Sequence, residues 1–192
     1  MPITINGDGS IAGVSVGGLP DGIVDTDMIA ADAVTAAKVG FKGFTSYAII
    51  CDQKATTTDG GTFTSGAWRT RDLNTEIADP DAIVSISSNQ FTLGAGSYLI
   101  TANAPAFDCS RHQARLYNAT TSTSVQVGTS VLNDTGGNGG TPAILSARVT
   151  ITGNTAFEIQ HRCSGTKATT GFGASADFDV EIYTTVQIFK EA

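Results

Sequence analysis

From Tyr47 onward the chain alternates apolar and polar residues with a period of two, in short runs divided by turn residues. Tyr47-Ala48-Ile49-Ile50-Cys51 opens the series as a short apolar run. Phe91 and Leu93 alternate with polar neighbours, Gly94-Ala95-Gly96 turns the chain, and Tyr98 to Ala102 follows. His112 to Tyr117 alternates again, as do Val125, Val127, Thr129 and Val131. Within Ile144 to Ile151, Leu145, Ala147, Val149 and Ile151 share a face, and Gly153-Asn154 marks a turn before Phe157 to Cys163. The final run is the longest, with Phe178, Val180, Ile182, Val186 and Ile188 predicted to face a core. A two-residue period with turn signals at intervals of roughly 8–12 residues predicts an all-β antiparallel sandwich or barrel.

The first forty residues read differently. Six glycines and Pro20 by residue 22 keep this stretch from building a core of its own. A weak repeat follows at an offset of ten, in which Val24 matches Val34 and Ile29 matches Val39. Such a stripe on a thin segment needs other chains to cover it. Asp25 or Thr26 is placed to cap a short helix through Ala37, ended by Gly40. The predicted organisation is a stalk or attachment segment at 1–44 and a β-sandwich head at 45–192.

Composition sharpens this. At 192 residues the chain has room for one well-buried domain and a short appendage. Only 15% of residues are charged, and hydroxyl residues stand in their place, as suits strands whose outer face a partner covers. The net charge is −7 and no basic stripe exists, which argues against nucleic acid and anionic membrane as partners. No apolar run approaches the ~20 residues that span a bilayer, and residues 1–10 carry no signal pattern. Synthesis and folding in a host cytoplasm are therefore expected, with the two Asn-x-Thr sequons chance matches. Three cysteines are too few for a secreted disulfide scaffold.

Several stretches then carry a resemblance. They are Gly61-Thr62-Phe63-Thr64-Ser65-Gly66-Ala67-Trp68-Arg69-Thr70-Arg71-Asp72-Leu73-Asn74, Gly96-Ser97-Tyr98-Leu99-Ile100 and His112-Gln113-Ala114-Arg115-Leu116-Tyr117-Asn118. Phe157 to Cys163, Gly171-Phe172-Gly173 and Glu181-Ile182-Tyr183 continue the series. In order and spacing, residues 45–190 resemble the jelly-roll heads of the complement and tumour-necrosis-factor (TNF) superfamily, in the version carried at the C-termini of phage tail fibres. Ile5 to Gly13 and Gly17 to Gly22 are similar to the linker repeats that precede such heads. The resemblance implies a jelly roll of about ten strands, a homotrimer, a place on a virion, and no catalysis or cofactor. The implied role is a fibre or adhesin knob that attaches to a host-surface glycan or protein, with residues 1–44 docking to other virion proteins. A capsid-decoration protein anchored by the same segment is the alternative, since forty residues make a short stalk. A polysaccharide-degrading enzyme stands third.

Candidate chemistry is sparse. Cys109-x-x-His112 and His161-x-Cys163 supply a Cys₂His₂ set on neighbouring antiparallel strands. Three readings stay open: two half-buried histidines bonded to each other or to backbone beside free thiols, a Cys109–Cys163 disulfide, or a zinc site. No nucleophile elbow is present. Asp79 with Asp81 and Asp177 with Asp179 pair carboxylates as glycosidases do, but both pairs border turns, where acids cap and solubilise. Trp68 is either core or, if exposed, a platform for a sugar ring. The loops expected to carry recognition are those around Asp108–Arg111, Asp134–Thr141 and Ser164–Gly173, with Asp108, Arg111, Asp134, Asn138 and Lys167 as candidates. Finally, Leu99, Tyr183 and Phe189 sit opposite the core-facing set of their strands, which marks them as the expected trimer interface.

Overall fold

The computed structural model describes residues 4–5, 7, 11–12, 43–133, 136 and 139–192. Two compact units divide the chain, Met1–Lys42 and Gly43–Ala192. In the first, β1 (Thr4–Ile5) pairs antiparallel with β2 (Ile11–Ala12). The helix expected from Asp25 or Thr26 through Ala37, and the repeat around it, lie outside the described residues.

The second unit is an antiparallel jelly roll. One sheet orders β12 (Ala143–Ile151), β8 (Gly96–Ala104), β14 (Glu181–Glu191), β3 (Phe44–Lys54) and β5 (Thr75–Ala78). The other orders β10 (Thr123–Val127), β9 (Arg111–Asn118), β13 (Thr155–Cys163), β7 (Gln90–Leu93) and β6 (Val84–Ser87), with β11 (Val131–Leu132) on β9 and β4 (Arg69–Thr70) on β13. No helix occurs among the described residues. Ile50, Ile100, Val186 and Ile188 from the first sheet meet Phe91, Leu116, Phe157 and Ile159 from the second in one buried cluster. Burying each such side chain contributes ~1.5–3 kcal/mol, which is why the alternating pattern predicts the layers. In β12, Leu145, Ala147 and Val149 are buried while the residues between them face solvent, as their period requires.

Two expectations need correction. Val125 to Val131 does not form one alternating strand. It divides into β10, exposed throughout, and β11, both on β9. Between them Gly128 donates to Ala114 O on β9 while Thr129 donates to Ile144 O on β12, so this link ties the edges of the two sheets together before the chain returns to β9 as β11. A Cβ on Gly128 would stand 2.5 Å from Ile144 O, so only glycine lets the backbones pass this close.

The second correction concerns the last strand. The alternation predicts Phe178, Val180 and Ile182 in the core, yet all three are exposed, Phe178 at 94%. The chain turns before β14, where Glu181 accepts from the backbone N–H groups of Ala176 and Asp177 at 2.9 and 2.8 Å. A β-bulge between Ile182 and Thr185 then places Tyr183 and Thr184, two consecutive residues, both inside. Past the bulge, Val186 and Ile188 face the core as the period predicts. One extra residue reverses the parity of everything before it.

Candidate functional site

The outer face of the five-stranded sheet carries several exposed apolar side chains. Strand register aligns Tyr47, Phe189, Leu99 and Arg148 in one row across β3, β14, β8 and β12. The Phe44 ring packs on Phe189 with centroids 5.1 Å apart. Phe44 and Tyr47 remain 54% and 44% exposed, and Ile77, Ile144 and Ile182 are exposed as well. Arg148 and Glu191 form a bidentate pair on the same sheet, at 2.7 and 2.6 Å. Of the residues expected on this face, Leu99 and Phe189 are cross-strand partners there. Tyr183 is not. The bulge turns it inward to 6% exposure, where its hydroxyl donates to Thr58 O at 2.7 Å. Its ring lies so close to Gly173 that a Cβ there would meet Cδ1 at 2.3 Å. Sequence parity missed Phe44 and Tyr47, which sit on the first strand at the edge of the readable pattern.

The histidine–cysteine set forms a buried polar core instead. Cys163 lies directly across from His112 on β9, and His112 Nδ1 is 2.9 Å from His161 Nε2. One imidazole donates and the other accepts, so each already spends a ring nitrogen on the other. Cys109 and Cys163 join Phe63 and Ala106 in a small cluster of their own, and both are free thiols. Burial pushes the Cys109 thiol up to about 12 and the Cys163 thiol up to about 11. Both therefore stay protonated at neutral pH and are weak ligands and weak nucleophiles. Among the described residues, no group of three or more His, Cys, Asp or Glu is arranged to hold a metal.

Sequence reading missed the residue at the centre of this core. Arg71 is 1% exposed. Its Nε donates to Thr184 Oγ1 at 2.6 Å and its Nη2 to Phe172 O at 2.9 Å, while the guanidinium stacks 4.1 Å from the Phe172 ring. Burial lowers its pKa to about 10, with Asp52 and Asp72 opposing, so the cation persists at neutral pH. Burial also lowers the pKa of both histidines, and the nearby Arg71 charge lowers them further. The available signal was parity: Arg71 and Leu73 are both buried, two residues apart.

The histidine shifts carry a pH consequence. Both imidazoles take up a proton less readily in the folded head than in the unfolded chain, where they bind one below about 6.5. The unfolded state thus takes up more protons, and stability is lost as pH falls through about 6.5. Asp108 and Glu181, whose pKa values are lowered by hydrogen bonds, add their own loss only below the usual carboxylate range near 4. Urea midpoints should hold from pH 8 to 7 and fall between 6.5 and 5. A midpoint flat down to pH 5 would mean that the pair is not held neutral.

The expected recognition loops divide. Asp134 and Asn138 lie outside the described residues. Asp108 is no free loop acid: it accepts from Gly136 N at 2.7 Å and ion-pairs with Lys167 at 2.6 Å. The loop from Ser164 to Gly173 is stitched into the head through Phe63 and Lys167, whose backbones exchange hydrogen bonds at 2.9 and 3.0 Å. At Gly171 a Cβ would stand 2.5 Å from Lys167 O and 2.6 Å from Phe63 Cβ. Gly171→Ala should therefore cost about 1–3 kcal/mol, read as a lowered urea midpoint. An unchanged midpoint would show that the loop yields freely. Trp68 is half-buried, with the Arg115 guanidinium 4.2 Å from its ring centroid, and Arg115 lies 4.8 Å from the Tyr117 ring as well.

Among solved structures, the chain is similar to an Eiger TNF from S. frugiperda, at 10% identity and a TM-score of 0.54, covering 77% of this chain and 92% of that one. A globular domain of zebrafish complement 1qA gives 13% identity and 0.47, over 76% and 96%. Murine APRIL gives 5% identity and 0.49, over 76% and 98%. The first likeness shows the fold, a TNF-like jelly roll, and at this identity it shows the fold alone. No family model and no curated protein matches the sequence.

Proposed function

We propose that this chain is a non-enzymatic attachment head that works as a homotrimer on a phage virion. The observation that carries the reading is the outer face of the five-stranded sheet. Tyr47, Phe44, Leu99, Phe189 and Ile144 form an apolar surface that a solvated sheet would not carry. Three copies around a common axis bury that face against itself, so each apolar side chain acts three times. The sequence resemblance to phage-fibre heads supports the virion setting, with residues 1–44 docking to a neighbouring virion protein. The buried, protonated thiols and the mutually bonded histidines support a non-catalytic core.

Antibody raised against the head and imaged on intact particles tests the setting. Label at the tail supports the fibre, label on the shell supports the decoration alternative, and particles free of label contradict both. The purified head should also compete with particles for adsorption to host cells. Undiminished adsorption at saturating head would contradict an attachment role.

A further inference from the structure

The opposite sheet presents a second surface of a different kind. At one end of the seven-stranded sheet, an open groove of about 770 Å³ runs between the β11 edge and the segment that leads into β4. Its walls include Trp68, Arg111, Gln113 and Arg162, and buried His112 and Cys163 lie beneath them. Register fixes this set. Arg162 stands directly across from Gln113 on the neighbouring strand, and Arg111 precedes Gln113 by two residues, on the same face. Two guanidinium groups and a planar amide thus share one patch beside the single indole of the chain.

The charge on this patch is uncompensated. Among the described residues, neither Arg111 nor Arg162 makes an ion pair, whereas Lys54, Arg148 and Lys167 all do. Arg69 on β4 adds a third cation nearby and pulls on the Cys163 thiol. In a chain of net charge −7 with 15% charged residues, three arginines at one sheet end with no ion pair among the described residues mark a local site for an anion. By contrast, the neighbouring Arg115 is committed, with Nε and Nη2 both bonded to Gln160 Oε1 at 2.9 and 2.6 Å. That network holds the Trp68 edge of the groove in place.

We infer that this groove binds an anionic sugar, a ring bearing a carboxylate or sulfate, with Arg111 and Arg162 on the acid group and Trp68 beside the ring. The composition of the wall selects the class. Gln113 Nε2 is held by Gly128 O and Ser130 Oγ, and Ser164 Oγ accepts from the Arg111 N–H, which leaves Gln113 Oε1 as an acceptor and the Ser130 and Ser164 O–H groups as donors toward a polyhydroxylated ring. An indole suits the C–H face of such a ring, and guanidinium suits its acid. The volume lies within the usual range for small-ligand sites. A nucleic-acid strand fits poorly, because the rest of the head is acidic and repels an extended polyanion. This inference rests on the attachment reading for its purpose, though not for its test.

Trp68 is the only tryptophan, so its emission reports on the groove directly. The full chain is titrated with trigalacturonate, a heparin-derived tetrasaccharide, uncharged maltotriose and inorganic sulfate, followed by Trp68 emission and by calorimetry. Saturable binding of trigalacturonate, of the sulfated tetrasaccharide or of both is expected, and which of them binds tells carboxylate from sulfate. The Arg111→Ala, Arg162→Ala double variant should keep the wild-type urea midpoint and bind at least tenfold more weakly. Maltotriose binding as tightly as the acidic sugars, or sulfate alone matching them, would overturn the inference. So would an absent response to both acidic sugars, or undiminished binding by the double variant. Acidic-sugar binding that persists where the head fails to block adsorption supports the site and counts against the attachment role alone.

Discussion

Arg71→Ala should cost about 3–5 kcal/mol of stability. Removing the guanidinium strips Phe172 O and Thr184 Oγ1 of their donor and leaves the buried Asp52 carboxylate with less positive charge around it. It also opens a void beside the Phe172 ring. Against a total stability of ~5–15 kcal/mol, this leaves the head marginal or unfolded at room temperature. Arg71→Met retains most of the volume and should lose less, which separates packing from charge. In the Met variant the His161 pKa should rise, because one cause of its depression, the neighbouring cation, has gone. Urea denaturation at fixed protein concentration measures the first effect and a histidine NMR titration the second. A loss below ~1 kcal/mol in the Ala variant would mean that Arg71 is dispensable.

The second large effect is on assembly. The Tyr47→Asp, Phe189→Asp double variant sets two carboxylates opposite each other on β3 and β14, within the apolar row. Each loses ~1.5–3 kcal/mol of burial per chain, and a buried unpaired charge costs more still. Three chains multiply that loss, so dissociation to a monomer that keeps its β-sheet circular dichroism is expected. Neither side chain belongs to the core between the sheets, so the fold should survive. Tyr183→Asp is different in kind. It removes a buried ring that packs against Gly173 and should unfold the chain outright. An oligomer unchanged by the double substitution would place the interface elsewhere.

How far the sequence could be read follows from where its signals are local. The period-two runs of β8, β9, β12 and β13 were legible because one side chain in two is buried, and register follows from that alone. The proximity of His112 and His161 was legible for the same reason. The β14 bulge was not legible, since one extra residue at Tyr183–Thr184 leaves no mark in an alternating pattern. It turns Thr184 inward onto Arg71, and that contact joins residues 113 positions apart. Arg71 itself was hidden by its residue type, as arginine is almost always exposed unless paired. The groove combines Trp68, Arg111 and Arg162 from three distant segments; Trp68 and Arg111 stood out singly, but nothing in the pattern joined them to each other or to Arg162. Long-range polar contacts were the part that pattern could not supply.

The most direct test of the account is the mass of the wild-type chain in solution by sedimentation equilibrium, across a hundredfold range of concentration. The outer face of the five-stranded sheet, if it is the subunit interface, predicts a stable particle of three times the 19.7 kDa chain mass. A chain that sediments at 19.7 kDa throughout, with Phe44, Tyr47 and Phe189 left in water, would contradict it.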